Sequence, residues 1–346
     1  MSGTSFDGVD ASLIKTDGKN FIQHIHSITT NYNEEERKIY SFPLFQNYHL
    51  ITKKINQTHK KAIKRLLKES EVNIKNIDII GVHGQTFAHK PNEKWSWQYI
   101  DHNYLLKEFK TKIVTDFRLK DLNFGGEGAP IVPIFHNAVF KNTKKSGFPL
   151  ALVNIGGVSN VTIIDGYNFY GFDIGPGNGP SDRISNERFN KKMDRGGKLA
   201  LKGTIKKSVA LDIIKTIKKI SNKSYDRKEL DVLCLKKTNK LKPENSLATM
   251  AFVVSELIKL KIKKFHPKKV ILLGGGRKNL AIRSNLESTF KEDILAAEDY
   301  NINGDSVESQ AIAYLAVRSL LGLEYTFRQT TNVISSLSGG VLHNYN

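Results

Sequence analysis

Apolar positions along this chain follow two patterns. Short alternating or continuous apolar runs end at glycine, and longer stretches repeat with helical spacing. Residues 11–29 divide at Asp17-Gly18, which predicts two strands joined by a tight turn. Residues 33–45 and 49–69 predict amphipathic helices; Leu50, Ile51, Ile55, Ile63, Leu66 and Leu67 form the stripe of the second. Ile77–Val82 predicts a buried strand running into His83-Gly84-Gln85-Thr86, and Ile113–Phe117 predicts another that ends at Arg118. The loop Gly125-Gly126-Glu127-Gly128-Ala129-Pro130 leads to a helix containing His136. Leu150–Ile155 breaks at Gly156-Gly157 and returns as Val158–Ile164, a second hairpin. Helices are expected near 180–193, 204–219, 226–235, 243–264 and 305–321, and Lys269–Leu273 is a buried strand ending at Gly274-Gly275-Gly276.

Strands alternating with helices predict an α/β class. A Lys-, Ser- and Gly-rich turn near Thr143–Phe148 marks a boundary, so two domains are expected, 1–146 and 147–346, each opening on a glycine-turned hairpin. The 346 residues suffice for two cores. No run reaches the roughly 18 apolar residues of a membrane helix, and the first residues lack the apolar core of a signal peptide. The single cysteine, Cys234, cannot form an internal disulfide, which fits a reducing cytoplasm; a buried structural thiol is expected there. The net charge of +19 admits a nucleic-acid binder. However, Lys53, Lys54, Lys60, Lys61 and Lys64 alternate with apolar positions rather than exposed aromatics. The favoured reading is a Lys-rich exterior on a metabolic enzyme, which would also draw in an anionic substrate.

Candidate chemistry concentrates at three glycine turns: Gly3, Gly156-Gly157 and Gly274-Gly275-Gly276. Gly3 lets backbone approach a ligand, Thr4 and Ser5 add hydroxyls, and Asp7 adds a carboxylate for Mg²⁺ or a sugar hydroxyl. None is a Walker loop, because no Gly-Lys-Ser/Thr follows, and none has dinucleotide spacing. Taken together, two hairpins and a turn before a helix match the nucleotide site of actin, hexokinase and Hsp70.

More specific pieces follow in order. They are Ser2-Gly3-Thr4-Ser5-x-Asp7-Gly8-x-Asp10, His83-Gly84-Gln85-Thr86, Asp116-Phe117-Arg118, Gly125-Gly126-x-Gly128-Ala129-Pro130, Asn154-Ile155-Gly156-Gly157-x-x-Asn160-Val161-Thr162, Asp173-x-Gly175-Pro176-Gly177-Asn178 and Gly274-Gly275-Gly276. With them the chain resembles the anhydro-N-acetylmuramic acid kinases of that ATPase superfamily, over nearly its whole length. The resemblance implies a two-domain actin-like ATPase (ribonuclease H-like) fold, with a duplicated mixed-sheet core and a central cleft. It implies that ATP and water act on 1,6-anhydro-N-acetylmuramic acid to give N-acetylmuramic acid 6-phosphate and ADP, in peptidoglycan recycling. It further implies Mg²⁺, a cytoplasmic enzyme and a homodimer, with neither specific nucleic acid nor membrane as partner.

Residue roles carry over position by position. Asp182 stands at the general-base position; carboxylates are also favoured near helix N-termini for electrostatic reasons alone. Gly3, Thr4, Ser5, Asp7, Gly8, Asp10, Asn154, Gly156, Gly157, Asp173, Gly175, Gly274, Gly275 and Gly276 are expected around ATP, with Asp7 and Asp173 on the Mg²⁺ side, through water. His83, Gln85, Thr86, Arg118 and Glu308 are expected at the sugar. Arg118 suits the lactyl carboxylate, and a salt bridge to Asp116 or Asp121 is the alternative. Asp305-x-x-Glu308 also reads as a capping box. Departures from the family pattern are Ile174 for Thr, Pro180-Ser181 for an apolar pair, Glu127 for Gln, and Thr330-Thr331-Asn332-Val333 for Val-Thr-Gly-Ala. Relatives also carry an apolar strand before Ser2-Gly3, so a chain start assigned too late, or a trimmed chain, is expected. Rival readings are another sugar or small-acid kinase of the superfamily, and a nucleotide-binding regulator or inactive paralogue.

Overall fold

A computed structural model of the protein describes every residue except 4–5, 42–47, 142–146, 167, 221–223, 289, 291–292, 301 and 346. The strands are β1 (Gly8–Thr16), β2 (Ile22–Asn31), β3 (Ile79–Gly81), β4 (Gln85–Lys90), β5 (Trp95–Tyr99), β6 (Lys112–Thr115), β7 (Leu150–Ile155), β8 (Val158–Asp165), β9 (Asn168–Pro176), β10 (Lys269–Leu273), β11 (Asp293–Ala296) and β12 (Val341–His343). The chain is mixed α/β and forms two compact units. One is Thr143–Asp305; the other joins Met1–Asn142 to Ser306–Asn346.

The unit Thr143–Asp305 holds a five-stranded sheet in the order β11-β10-β7-β8-β9. β8 runs antiparallel to β7 and β9, while β10 and β11 run parallel with β7. This is the ribonuclease H-like order that the resemblance implies. The central strands are buried on both faces, as their unbroken apolar runs require. One face packs on helices Lys207–Lys218, Arg227–Thr238 and Pro243–Ile262. The last helix is hydrophobic on nearly every side because it is enclosed.

The other unit divides its strands among smaller ladders. β1 and β2 form an antiparallel pair, β4 and β5 a second, and β12-β6-β3 a three-stranded sheet. Helix Tyr48–Glu69 buries Ile51, Ile55, Ala62 and Leu66, while Leu50, expected in the same stripe, is 44% exposed.

Residues 306–346 belong with this unit, which corrects the expected second domain of 147–346. The physical reason is a set of specific contacts. β12 pairs antiparallel with β6. Helix Val307–Leu320 approaches β3 so closely that a Cβ on Gly81 would lie 2.7 Å from the Ile312 carbonyl. Arg318 Nη1 donates to the Gly18 carbonyl at 2.7 Å and the Tyr314 hydroxyl to that of Lys19 at 2.9 Å, tying the helix to the β1–β2 turn. A chain that leaves a unit and returns cannot be inferred from composition at one boundary.

Candidate functional site

The first glycine turn is built by side chains. Met1 and Asp10 exchange hydrogen bonds: the amino group donates to the Asp10 carbonyl at 2.8 Å, and the Asp10 amide to Met1 at 2.9 Å. Ser2 forms one parallel bridge to Gln85. Its hydroxyl lies within hydrogen-bond distance of the Gly8 carbonyl (2.9 Å), Tyr32 Oη (3.1 Å) and Gln85 Oε1 (2.5 Å). Gln85 is fully buried, and its Nε2 donates to the Gly3 and Thr86 carbonyls. The Thr86 amide donates to Ser2 at 3.2 Å. Gln85 and Thr86, expected at the sugar, therefore hold the turn. Gly8 is obligatory, since a Cβ there would sit 2.4 Å from the Thr30 carbonyl. Gly3 has open space on its Cβ side among the described residues. Thr4 and Ser5 lie outside them. The Asp7 carbonyl accepts from Tyr32, and Asp10 Oδ1 accepts from Thr29 Oγ1 at 2.6 Å.

In the same unit, His83 is 3% exposed. Burial and the neighbouring Arg118 guanidinium hold its pKa well below the usual value, so it is neutral. Its Nε2 accepts from Arg118 Nε at 3.0 Å, and Arg118 Nη1 donates to the Gly128 carbonyl at 2.7 Å. His83 and Arg118 thus come together. The residue that organises the glycine loop is Asp121, which the sequence reading considered only as a partner for Arg118. Gly126 packs directly on its carboxylate; Gly128 donates to Oδ1 at 2.7 Å and Thr331 Oγ1 to Oδ2 at 2.6 Å. Burial raises the Asp121 pKa against the pull of those donors. Glu308 stands in the first turn of helix Val307–Leu320, and its charge acts on the Met1 amino group. The expected capping box is not formed. Ser306 is the N-cap and provides no side-chain cap bond, and Asp305 is drawn instead to Arg277 and Lys278.

In the unit Thr143–Asp305, backbone holds the second turn. Asn178 N donates to the Gly156 carbonyl at 2.7 Å, and Gly177 and Gly179 donate to Gly157 at 3.0 and 3.2 Å. Gly177 has no room for a side chain, because a Cβ would lie 2.2 Å from the Gly156 carbonyl. Helix Gly179–Phe189 starts at this junction, and Asp182 lies in its first turn, with its amide on the Asn178 carbonyl at 2.8 Å. Gly274, with φ +70°, fits against Asn154, and a Cβ there would lie 2.4 Å from Asn154 Oδ1. Gly275 opens outward, its nearest neighbour Asn178 Nδ2 at 3.9 Å from where a Cβ would stand. Asn154, Gly156, Gly157, Asn178, Gly274 and Gly275 therefore cluster. Asp173 and Gly175 sit deeper: the Asp173 carboxylate accepts from the Tyr225 amide at 2.9 Å, and Gly175 packs on Leu257 and Ile217.

Arg277, which the sequence reading missed, braces the third turn. It is 7% exposed, donates to the Gly274 carbonyl at 2.8 Å, and forms ion pairs with Glu298 and Asp305, both at 2.6 Å. The hydrogen bond from Arg277 and that from Lys278 push the Asp305 pKa down to about 2.

The family profile described as anhydro-N-acetylmuramic acid kinase matches residues 1–344. The chain is 35% identical to the protein of that name from Pelagibacter ubique, over 99% of this chain and 96% of the relative. It is 32% identical to the one from Zymomonas mobilis subsp. mobilis, over 99% and 98%. This chain belongs to the anhydro-N-acetylmuramic acid kinase family. Among solved structures it has a distant likeness to a ROK family glucokinase from Streptomyces griseus in complex with glucose and AMPPNP (10% identity, TM-score 0.43, 90% of this chain and 96% of that chain).

Within the anhydro-N-acetylmuramic acid kinase family pattern, the departures now have physical settings. Ile174 is fully buried in the hydrophobic cluster beneath the sheet, where it contributes to packing. Pro180 occupies the helix start, where its missing N–H costs nothing. Asn332 adopts φ +60° where the family pattern has Gly, and its side chain donates to Glu127, itself a replacement for Gln. Among the described residues, no cluster of three His, Cys, Asp or Glu could hold a metal directly, and no helix is long and apolar enough to cross a membrane.

Proposed function

We propose that this chain is an ATP-dependent kinase that opens the 1,6-anhydro ring of anhydro-N-acetylmuramic acid with water and phosphorylates O6. The products are N-acetylmuramic acid 6-phosphate and ADP. The observation that carries this reading is the placement of Asp182. Its helix begins at Gly179, which is hydrogen-bonded to the Gly156-Gly157 turn. A carboxylate is thereby set one helical turn along the chain from the Gly156-Gly157 turn.

Asp182 takes a proton from the water that attacks C1. The C1–O6 bond breaks, O6 bonds to the γ-phosphorus, and the bond to ADP breaks. The proton then passes from Asp182 to solvent. One carboxylate suffices because the departing O6 is captured by phosphorus rather than by a second acid, as an ordinary glycosidase would require. The open space at Gly3 and at Gly275 suits backbone that lies close to phosphate oxygens. Arg118, already fixed by His83 and Gly128, faces the lactyl carboxylate, and Glu308 a sugar hydroxyl. His83 is held neutral, so it orients Arg118 without competing charge. Mg²⁺ supplies neutralisation of phosphate charge when bound. Asp7 suits it through water, since Mg²⁺ retains several waters and needs few protein carboxylates. Asp173 commits one oxygen to Tyr225 and suits an indirect role. The basic exterior, a homodimer and a cytoplasmic setting complete the reading.

The test is sugar-dependent ADP release with mass analysis of the product. The expected product carries phosphate and one added water. A phosphorylated product with the anhydro ring intact would replace this reading with an ordinary sugar kinase, and nucleotide binding without sugar-dependent release would replace it with a regulator.

A further inference from the structure

Helix Arg227–Thr238 contributes a pair that none of the motifs contains. Arg227 Nε lies 3.6 Å from Asp231 Oδ2, and the two side chains are 14% and 6% exposed. The pair packs against glycine on two sides. A Cβ on Gly157 would lie 2.7 Å from Arg227 Nε and 2.9 Å from its Cζ. On Gly179 it would lie 2.5 Å from Asp231 Oδ1 and 3.1 Å from Arg227 Nε. Gly157 belongs to the phosphate turn, and Gly179 begins the helix that carries Asp182. Arg227 Nη1 and Asp231 Oδ1 are both buried without a hydrogen-bond partner among the described residues. Leaving such atoms unsatisfied opposes folding, so the stability of the unit alone does not account for this pair.

We propose that Arg227, oriented by Asp231, is a positioning residue: its guanidinium fills the space left by Gly157 and Gly179 and fixes the phosphate turn against the helix bearing Asp182. The proposal rests on the kinase reading for its catalytic consequence. The two glycines are required because the guanidinium occupies the volume that their side chains would take. A planar guanidinium fills that slot, and a lysine ammonium does not reproduce its shape.

The test is a double-mutant cycle on the full chain with Gly157→Ala and Arg227→Ala, read in sugar-dependent kcat and KM and in affinity for a nonhydrolysable ATP analogue. Each single variant is expected to lower kcat/KM by about ten- to a hundredfold, the scale of a misplaced reacting group. In the Arg227→Ala background, Gly157→Ala is expected to add less than about threefold, because its clash partner is gone. Arg227→Lys should retain the fold yet recover only part of the activity, and added guanidinium ion at low concentration should restore Arg227→Ala in part. Fully additive losses, or wild-type kinetics in a folded Arg227→Ala, would overturn the proposal. If Arg227→Ala does not fold, the same cycle with Arg227→Lys decides it, with additivity again the overturning result. Should the unaltered chain release no ADP with the sugar, the kinase reading fails, and the analogue-affinity cycle still judges Arg227.

Discussion

The two glycine turns at the starts of the units solve one problem by different means. The Gly156-Gly157 turn is continuous with a five-stranded sheet and is pinned by backbone amides of Gly177, Asn178 and Gly179. Among the described residues, the Ser2–Gly8 turn has one bridge, one exchanged pair beside β1, and bonds from the Phe6 amide to Gly3 and the Tyr32 amide to Asp7, and buried side chains of Ser2, Tyr32 and Gln85 add to these. Backbone pinning tolerates the loss of side-chain hydrogen bonds, although Gly157, Gly177 and Gly179 leave no room for a side chain. Side-chain pinning does not, because a buried polar partner left alone loses its bonds to water as well.

The largest expected effect concerns the backbone-pinned turn and the base next to it. Asp182→Asn should lower kcat by about a hundred- to ten-thousandfold, the usual range for general-base loss. Thermal unfolding should shift by no more than about 0.5 kcal/mol, as for a substitution outside the core. Near-normal ADP release would remove Asp182 from its role. The contrast between the turns is tested by stability. Gln85→Leu should destabilise by about 2–3 kcal/mol, while Ser159→Ala, which removes one side-chain bond to the Pro176 carbonyl, should cost about 1 kcal/mol or less. Equal urea midpoints for the two variants would break the comparison.

A pH effect is expected in the second unit. Burial pushes the Asp231 pKa up to about 6, against the attraction of Arg227 and Arg183 and with Asp226 and Glu187 adding repulsion. The folded state therefore binds this proton more tightly than the unfolded chain does. Its contribution to stability is present at low pH and falls as pH rises from about 4 to about 6. Asp231→Asn should flatten the urea-midpoint profile in that window by about 1–2 kcal/mol, and an unchanged slope would show that Asp231 does not titrate there. Smallest is the αL position of the first unit. Asn332→Ala should cost about 1 kcal/mol and Asn332→Gly almost nothing, because only the former strains φ > 0. Equal costs would place the weight on the Glu127 bond instead.

Much of this was legible in the chain. Glycine at the ends of apolar runs marked the turns, because backbone that must reverse or approach a ligand has few alternatives. The helices from 179 onward lie close to where their spacing puts them. What was not legible depends on residues far apart in sequence. The return of 306–346 to the first unit rests on β12 finding β6. Asp305 looked like a cap until Arg277 and Lys278 competed for it. Arg227 and Asp231 carry no motif and stand at an i,i+4 spacing common on helices, and only the two glycines packed on them reveal their setting. The hairpin of β4 and β5 and the helix His102–Phe109 were not anticipated, since Trp95, Trp97 and neighbouring polar residues give no clear period.

Cys234, the only thiol of the chain, is fully buried in the core of the second unit, and burial pushes its pKa up to about 12. In the native state it is therefore both shielded and protonated, and a thiol reagent has nothing to attack. Alkylation can proceed only as that core opens. The rate of labelling is thus a built-in stopwatch for the second unit, blind to fraying of the first, and ATP should slow it to the extent that the nucleotide grips this half of the molecule.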